Sequence, residues 1–276
     1  MSGGRAYDAA AVRAALPGST MWRDIRVVPE TGSTSSDLAD LARAGAPEGT
    51  LVVADHQVSG RGRLDRTWHT PPGTGIAVSM LFRPVDVPVS RWPWLPLLVG
   101  VAVAEAVHTG AAVPVTLKWP NDVVIEGRKL AGILAEVVPG GVVVGVGLNV
   151  SVQAADLPPT ATSLALEGVA RTCTPEGKQL AAFVDRLDLL ATLLVSVDQR
   201  YGWWRGLGGD PAATAAAYRP LCTTLGSQVR VGLPSGGRLV GLALDIDHEG
   251  RLVVRTPSGD HAVGVGDVVH VRRELT

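Results

Sequence analysis

Gly60-Arg61-Gly62-Arg63-Leu64-Asp65-Arg66-Thr67-Trp68 places three arginines within six residues, two of them flanked by glycine, with a tryptophan two positions further on. Glycine lets a backbone approach a ligand closely. The guanidinium fork matches carboxylate and phosphate oxygens, and an indole can cover a heterocycle. The stretch therefore reads either as a solvated surface turn or as a loop that holds an anionic, ring-bearing ligand. It is neither a P-loop nor a dinucleotide fingerprint, because no GxxxxGK[ST] occurs and Asp65 stands where a third glycine is required.

Around that loop the chain is nearly neutral. Of 276 residues, 25 are Lys or Arg and 26 are Asp or Glu, a formal charge of -1, so the arginines form a local site and not one end of a basic face. This argues against nucleic-acid and anionic-membrane binding. Cys173 and Cys222 are the only cysteines and have no metal-ligand spacing, which fits a reducing, cytoplasmic setting. The N-terminus has no signal-peptide core, and the apolar run from Trp92 to Ala104 is shorter than the roughly 20 residues of a membrane span, so it reads as a buried helix. Lysine is rare: Lys118, Lys129 and Lys178 are the only three, and two fall in one short segment.

Periodicity and turn residues predict helices over Asp8–Leu16, Ser33–Ala44, Trp94–His108 and Pro211–Tyr218, and a helical stretch from about Pro175 through Leu194. Strands are predicted over Ile25–Val28, Thr50–Asp55, Gly75–Phe82 (apolar and buried), Val115–Lys118, Asp122–Glu126, Leu130–Val138 and Gly141–Val150, with Gly127-Arg128-Lys129 as a turn. Five short strands between Gln228 and Val271, separated by Pro/Ser/Gly/Asp turns, look like a small β-barrel. The boundary is placed near Cys222–Gly226, giving units 1–222 and 223–276.

Three more segments carry candidate chemistry. Thr31-Gly32-Ser33-Thr34-Ser35-Ser36-Asp37 supplies hydroxyls at a helix start, either as caps or as ligands for a polar head group. Lys118-Trp119-Pro120-Asn121-Asp122, with Lys129-Leu130-Ala131-Gly132 following, offers an Asn-Asp pair for a nucleoside or a hydrated Mg²⁺, or else an Asx turn, and a lysine among small and apolar residues. Gly145-Val146-Gly147-Leu148-Asn149 ends an apolar strand on a polar group that needs partners if buried.

In this order, and over roughly residues 25–150, these segments resemble the biotin protein ligases. That family shows a hydroxyl-rich segment, a GRGRxGR loop, KWPND, a KLAG lysine segment and a G-x-N strand end. Here Leu64-Asp65 stands in the loop where the family has a variable residue and glycine. The resemblance implies an α+β fold: a mixed sheet packed with helices, as in class II synthetases and biotin/lipoate ligases, plus a small SH3-like C-terminal barrel. It implies a monofunctional enzyme without a DNA-reading domain. Biotin and ATP would give biotinyl-5′-adenylate, and biotin would then pass to a lysine of the biotin carboxyl carrier domain of an acyl-CoA carboxylase. The enzyme would be a monomer or weak homodimer, with no nucleic-acid or membrane partner.

By position, the resemblance implies that Ser33, Thr34, Gln57, Gly60, Arg61 and Gly132 contact biotin. Arg63, Arg66, Trp68, Asn121, Asp122 and Asn149 would serve the nucleotide, and Mg²⁺ would arrive with its phosphates. Lys129 would bridge the biotin carboxylate and the α-phosphate, with Arg63 beside it in catalysis. The rival readings are a lipoate or octanoate ligase or transferase, and a biotin-sensing module without catalysis.

Overall fold

The computed structural model describes residues 7–63, 66–168, 171–173, 179–181, 184–233, 237–264 and 267–270, with 171–173, 179–181, 267 and 269–270 described as backbone. Helix α1 (Ala9–Ala15) is capped by the Asp8 carboxylate. Strand β1 (Asp24–Thr31) leads to α2 (Thr34–Arg43), then β2 (Thr50–Gln57), the short ribbon β3 (Gly60–Arg61) and β4 (Thr67–Trp68), and β5 (Gly75–Phe82). Helix α3 (Trp94–Ala111) precedes β6 (Thr116–Lys118), β7 (Asp122–Ile125), β8 (Arg128–Val138) and β9 (Gly141–Asn149). Seven of these strands form one mixed sheet in the order β1-β2-β5-β9-β8-β7-β6, with β1 and β2 parallel and the other pairs antiparallel.

Alternation along the strands divides the apolar residues between two faces. Ile76, Val78, Met80 and Phe82 of β5 and Val142, Val144, Val146 and Leu148 of β9 join the main core with α3. Trp22, Trp94 and Phe82 are fully buried there. The opposite face carries a smaller core in which Leu38, Ala39 and Ala42 of α2 cover Val52, Leu81, Val138 and Val143. By length and composition α3 could cross a membrane, but it is the buried core helix between the sheet and α4 (Arg186–Gly206).

Two local expectations need correction. The stretch from Pro175 is not one helix: β10 (Arg171–Cys173) and β11 (Gln179–Ala181) pair antiparallel, and α4 starts at Arg186, where Asp185 accepts hydrogen bonds from the Leu187 and Asp188 amides. Residues 174–178 and 182–183 lie outside the described set. Leucines on a helical period drew the expected helix too far back, past the Asp185 cap. The hairpin between β7 and β8 turns on Glu126 and Gly127, both at positive φ (48° and 79°), so Arg128 and Lys129 already belong to β8.

After α5 (Ala212–Tyr218) come β12 (Gln228–Gly232), β13 (Arg238–Ile246), β14 (Leu252–Thr256), β15 (Gly259–Val263) and β16 (Asp267–His270). They form a five-stranded antiparallel sheet in the order β15-β14-β13-β12-β16. No pairing joins β15 to β16 among the described residues, so the expected barrel is seen as a small open sheet. It is tied to the rest of the molecule by tryptophan bonds from α3 and from the residue after β6. Trp119 Nε1 donates to Gly250 O at 3.1 Å and Trp94 Nε1 to His248 O at 3.0 Å, while the Trp119 amide donates to Thr224 Oγ1 at 3.0 Å.

Candidate functional site

Beyond the end of α2, the face of the sheet that α2 covers is paved with small residues. In register across the sheet lie Ser79, Gly145 and Leu134, and next to them Ala77, Gly147 and Gly132. A side chain at Gly145 would meet Ser35 Oγ at 2.4 Å, and one at Gly147 would meet the Trp68 indole at 2.5 Å. Above this floor opens a cavity of about 760 Å³. Ser33, Thr34, Gln57, Arg61, Arg63, Arg66, Trp68, Asn121, Asp122, Lys129, Gly132 and Asn149 all line it. Gly60 does not: it is buried in the β3–β4 ribbon, where a Cβ would strike the Trp68 carbonyl at 2.4 Å and Gln57 Nε2 at 2.9 Å. Leu64 and Asp65 lie outside the described residues.

One end of the cavity is neutral and polar. Ser33 is the N-cap residue of α2, yet its hydroxyl makes no capping bond. Gln57, at the end of β2, takes that place: its Oε1 accepts from the Thr34 amide at 2.9 Å and from Thr34 Oγ1 at 3.1 Å. A backbone N–H can only donate, so the atom facing it is the amide oxygen. Gln57 Nε2 then faces away with two donors. Ser33, Thr34 and Ser35 are buried, and each hydroxyl keeps lone-pair capacity.

The other end is cationic. Lys129 Nζ lies 2.7 Å from Asp122 Oδ1 and 5.5 Å from the centroid of the Trp68 ring. The carboxylate contact lacks hydrogen-bond alignment and is an ion pair. Both backbone groups of Lys129 are fixed by the loop after the short 3-10 turn Ala154–Asp156, since its amide donates to Thr160 O and its carbonyl accepts from the Thr162 amide, each at 2.8 Å. Arg63 Nη1 donates to Asn121 Oδ1 at 3.2 Å, and Arg61 Nη1 sits 3.0 Å from Glu136 Oε2. Asn149 is 2 % exposed; its Nδ2 donates to Thr162 O at 2.9 Å, while Oδ1 has no hydrogen-bond partner. The Trp68 indole N–H is likewise buried and unpartnered. Such orphaned polar atoms mark places where a ligand's polar groups can dock.

Ser35 and Lys118, quoted in the candidate segments but given no individual role there, line the cavity; sequence reasoning missed Asp156, Leu157, Pro158, Thr160 and Ala161, which line it too, and Ser79 beneath it. For Ser35 the hydroxyl-rich run was the available signal. For Ser79 it was a lone polar residue in an otherwise apolar strand. Among the described residues no group of three His, Cys, Asp or Glu side chains could hold a metal. Asp122 still offers a hard oxygen donor inside the cavity.

Residues 27–153 match the biotin/lipoate A/B protein ligase family, and residues 224–271 match the biotin protein ligase C terminal domain. The chain is 44 % identical over 255 residues to the biotin–[acetyl-CoA-carboxylase] ligase of Mycobacterium tuberculosis, covering 91 % of this chain and 90 % of that one. It is 33 % identical over 241 residues to the bifunctional ligase/repressor BirA of Bacillus subtilis, covering 86 % and 70 % respectively. Its fold superposes on the biotin protein ligase from Aquifex aeolicus in complex with biotin and ATP with a TM-score of 0.72 and 26 % identity, over 91 % of this chain and 99 % of that one.

Proposed function

The chain belongs to the biotin/lipoate A/B protein ligase family, among its biotin protein ligases, and from that premise we propose that it activates biotin with ATP and transfers it to a carrier lysine. The carrier is the biotin carboxyl carrier domain of an acyl-CoA carboxylase. In the first step a biotin carboxylate oxygen attacks the α-phosphorus, the bond to the β-phosphate oxygen breaks, and pyrophosphate leaves. In the second, the carrier lysine amine attacks the acyl carbon, an amide forms, and AMP departs as the amine loses its proton.

The observation that carries this reading is one cavity with two unlike ends. Gln57 Nε2 offers donors, and Thr34 and Ser35 offer lone pairs. This set complements a cyclic urea, which has one carbonyl and two N–H groups. The dithiolane of lipoate would leave the Gln57 Nε2 donors unanswered, at about 1–3 kcal/mol. At the other end Lys129 would bridge the biotin carboxylate and the α-phosphate. A cation there relieves their repulsion more as the new bond forms than in the separated reactants. Arg63, Arg66, Trp68 and Asn149 take the nucleotide, with the orphaned Asn149 Oδ1 as an acceptor for an N–H or O–H of the nucleoside. Arg61, with Gly60 shaping the ribbon, closes the biotin end.

The site fits Mg²⁺ delivered with the nucleotide. Asp122 and Asn121 would hold it, and it would neutralise the departing pyrophosphate when bound. The catalytic unit of this proposal is 1–222 and the C-terminal unit 223–276, in a cytoplasmic enzyme.

Exchange of labelled pyrophosphate into ATP tests the proposal. Exchange is expected with biotin and not with lipoate as the acid. Equal exchange with lipoate would favour a lipoate ligase, and binding of biotin without exchange would favour a sensor.

A further inference from the structure

Ser79 lies outside the cavity lining, wholly buried beneath its polar end. It is the single polar side chain of β5 and pairs in register with Gly145. A hydroxyl buried in a sheet needs partners, and it has two: Thr34 Oγ1 at 2.8 Å and Ser35 Oγ at 3.0 Å. Ser35, Ser79, Thr34 and Gln57 therefore form one continuous chain of hydrogen bonds.

The direction of that chain follows from its last link. Gln57 Oε1, held by the Thr34 amide, can only accept, so the Thr34 hydroxyl donates to it. A hydroxyl has one proton, so Thr34 Oγ1 must accept from Ser79. Ser79, having given its proton, must accept from Ser35. Any other order sets two lone pairs against each other somewhere along the row.

We propose that Ser79 is a positioning and specificity residue for this site: it takes the Ser35 proton away from the cavity and gives its own to Thr34, so that Thr34 and Ser35 face the ligand as acceptors while Gln57 Nε2 donates. This arrangement selects an acid whose far end carries ureido N–H groups. The inference rests on reading this end of the cavity as the biotin ring site. Without the Ser79 hydroxyl, the Ser35 proton has no buried acceptor and turns toward the cavity, where it opposes a ligand N–H. Gly145 belongs to the same device, because a methyl there would sit 2.4 Å from Ser35 Oγ and displace it.

The test is calorimetric titration of the full chain and its Ser79→Ala, Ser79→Cys and Ser79→Thr variants with biotin, with biotin methylated on a ureido nitrogen, and with ATP. Ser79→Ala is expected to weaken biotin roughly tenfold and to leave the ATP affinity unchanged. The rate at saturating biotin should also stay unchanged, so the loss appears in KM and not in kcat. The preference for biotin over its N-methyl analogue should shrink in the same variant, an effect that a packing defect would not produce. Ser79→Cys fills the space without a strong hydrogen bond and should behave like Ser79→Ala; it carries the test if Ser79→Ala does not fold. Ser79→Thr keeps the hydroxyl and should recover much of the loss. The proposal is overturned if Ser79→Cys binds biotin like wild type, or if the preference for biotin over the methylated analogue is the same in every variant. If the wild-type chain itself does not bind biotin, the reading of the whole site falls. Wild-type binding with unaffected variants removes only the relay.

Discussion

Replacing Lys129 by Ala should cut the rate of adenylate formation by about two to three decades, and the structure sets that size. The amine sits 2.7 Å from Asp122, and its side chain is 33 % exposed. Unit charges about 4 Å apart interact by about 4 kcal/mol at an effective dielectric of 20. Partial exposure screens this to about half, roughly 2 kcal/mol per anionic contact. In the reacting complex the amine faces two incoming anions, the biotin carboxylate and the α-phosphate. A rise of about 3–4 kcal/mol in the barrier follows, or about 10²–10³ in rate. Biotin binding should suffer less, by at most about thirtyfold, because only the single carboxylate contact of roughly 2 kcal/mol is lost and the ring contacts at Gln57 and Thr34 are untouched. The assays are single-turnover adenylate formation and calorimetric biotin affinity. A Lys129→Ala enzyme within threefold of the wild-type adenylation rate would refute the bridging role and the electrostatic argument with it.

Three further outcomes are expected. Arg61→Gly removes a guanidinium held by Glu136 and Ser36 at the cavity rim; biotinyl-adenylate should escape and label lysines of a bystander protein in a blot, and strict carrier specificity in that variant would exclude Arg61 from the closing loop. Trp94→Phe removes one of the two donors to the His248 carbonyl, Arg91 Nη1 keeping the other at 2.9 Å; losing one hydrogen bond costs about 0.5–1.5 kcal/mol, so scanning calorimetry should find a melting temperature lowered by roughly 1–5 °C. Glu105 titrates below its ordinary value of 4.5 because Arg200 hydrogen-bonds its carboxylate, helped by Ser196 and opposed by burial. Its contribution is therefore complete above that value and lost as pH falls through the lower, folded-state value, so Glu105→Gln should unfold at lower urea than wild type at pH 7 and converge with it in acid.

Local chemistry made much of this molecule legible before any fold was in view. The bounds of β5 and the start of α3 follow from largely apolar runs, and α2 starts and stops where Ser33 and Gly45 place it. The glycine-arginine loop, the Asn-Asp pair, Lys129 and Asn149 do share one cavity, but sequence spacing alone could not say so. They sit on different strands, and only the order β5-β9-β8-β7 brings them together. What was missed depends on partners distant in the chain. Gln57, and not Ser33, serves the first amide of α2, because the capping atom arrives from a neighbouring strand. Ser79 reads as an exception to an apolar pattern until Thr34 and Ser35, more than forty positions away, supply its bonds.

The location of the cavity follows from a mismatch of lengths. A ten-residue helix such as α2 reaches about 15 Å, whereas a nine-residue strand such as β9 reaches about 30 Å. Lying over Val143 and Leu81, α2 therefore covers one half of its face of the sheet and ends at the row of Ser79 and Gly145. In the uncovered half, large apolar side chains would face open space, and the positions there are Ala77, Gly147, Gly132 and Asn149. A bare floor of backbone needs a cover. The β3–β4 ribbon supplies it by laying the Trp68 indole against Gly147 and Gly132. The same geometry points the amino end of α2, the positive end of its dipole, into the cavity. A longer α2 would have made a better core and left no room for a substrate.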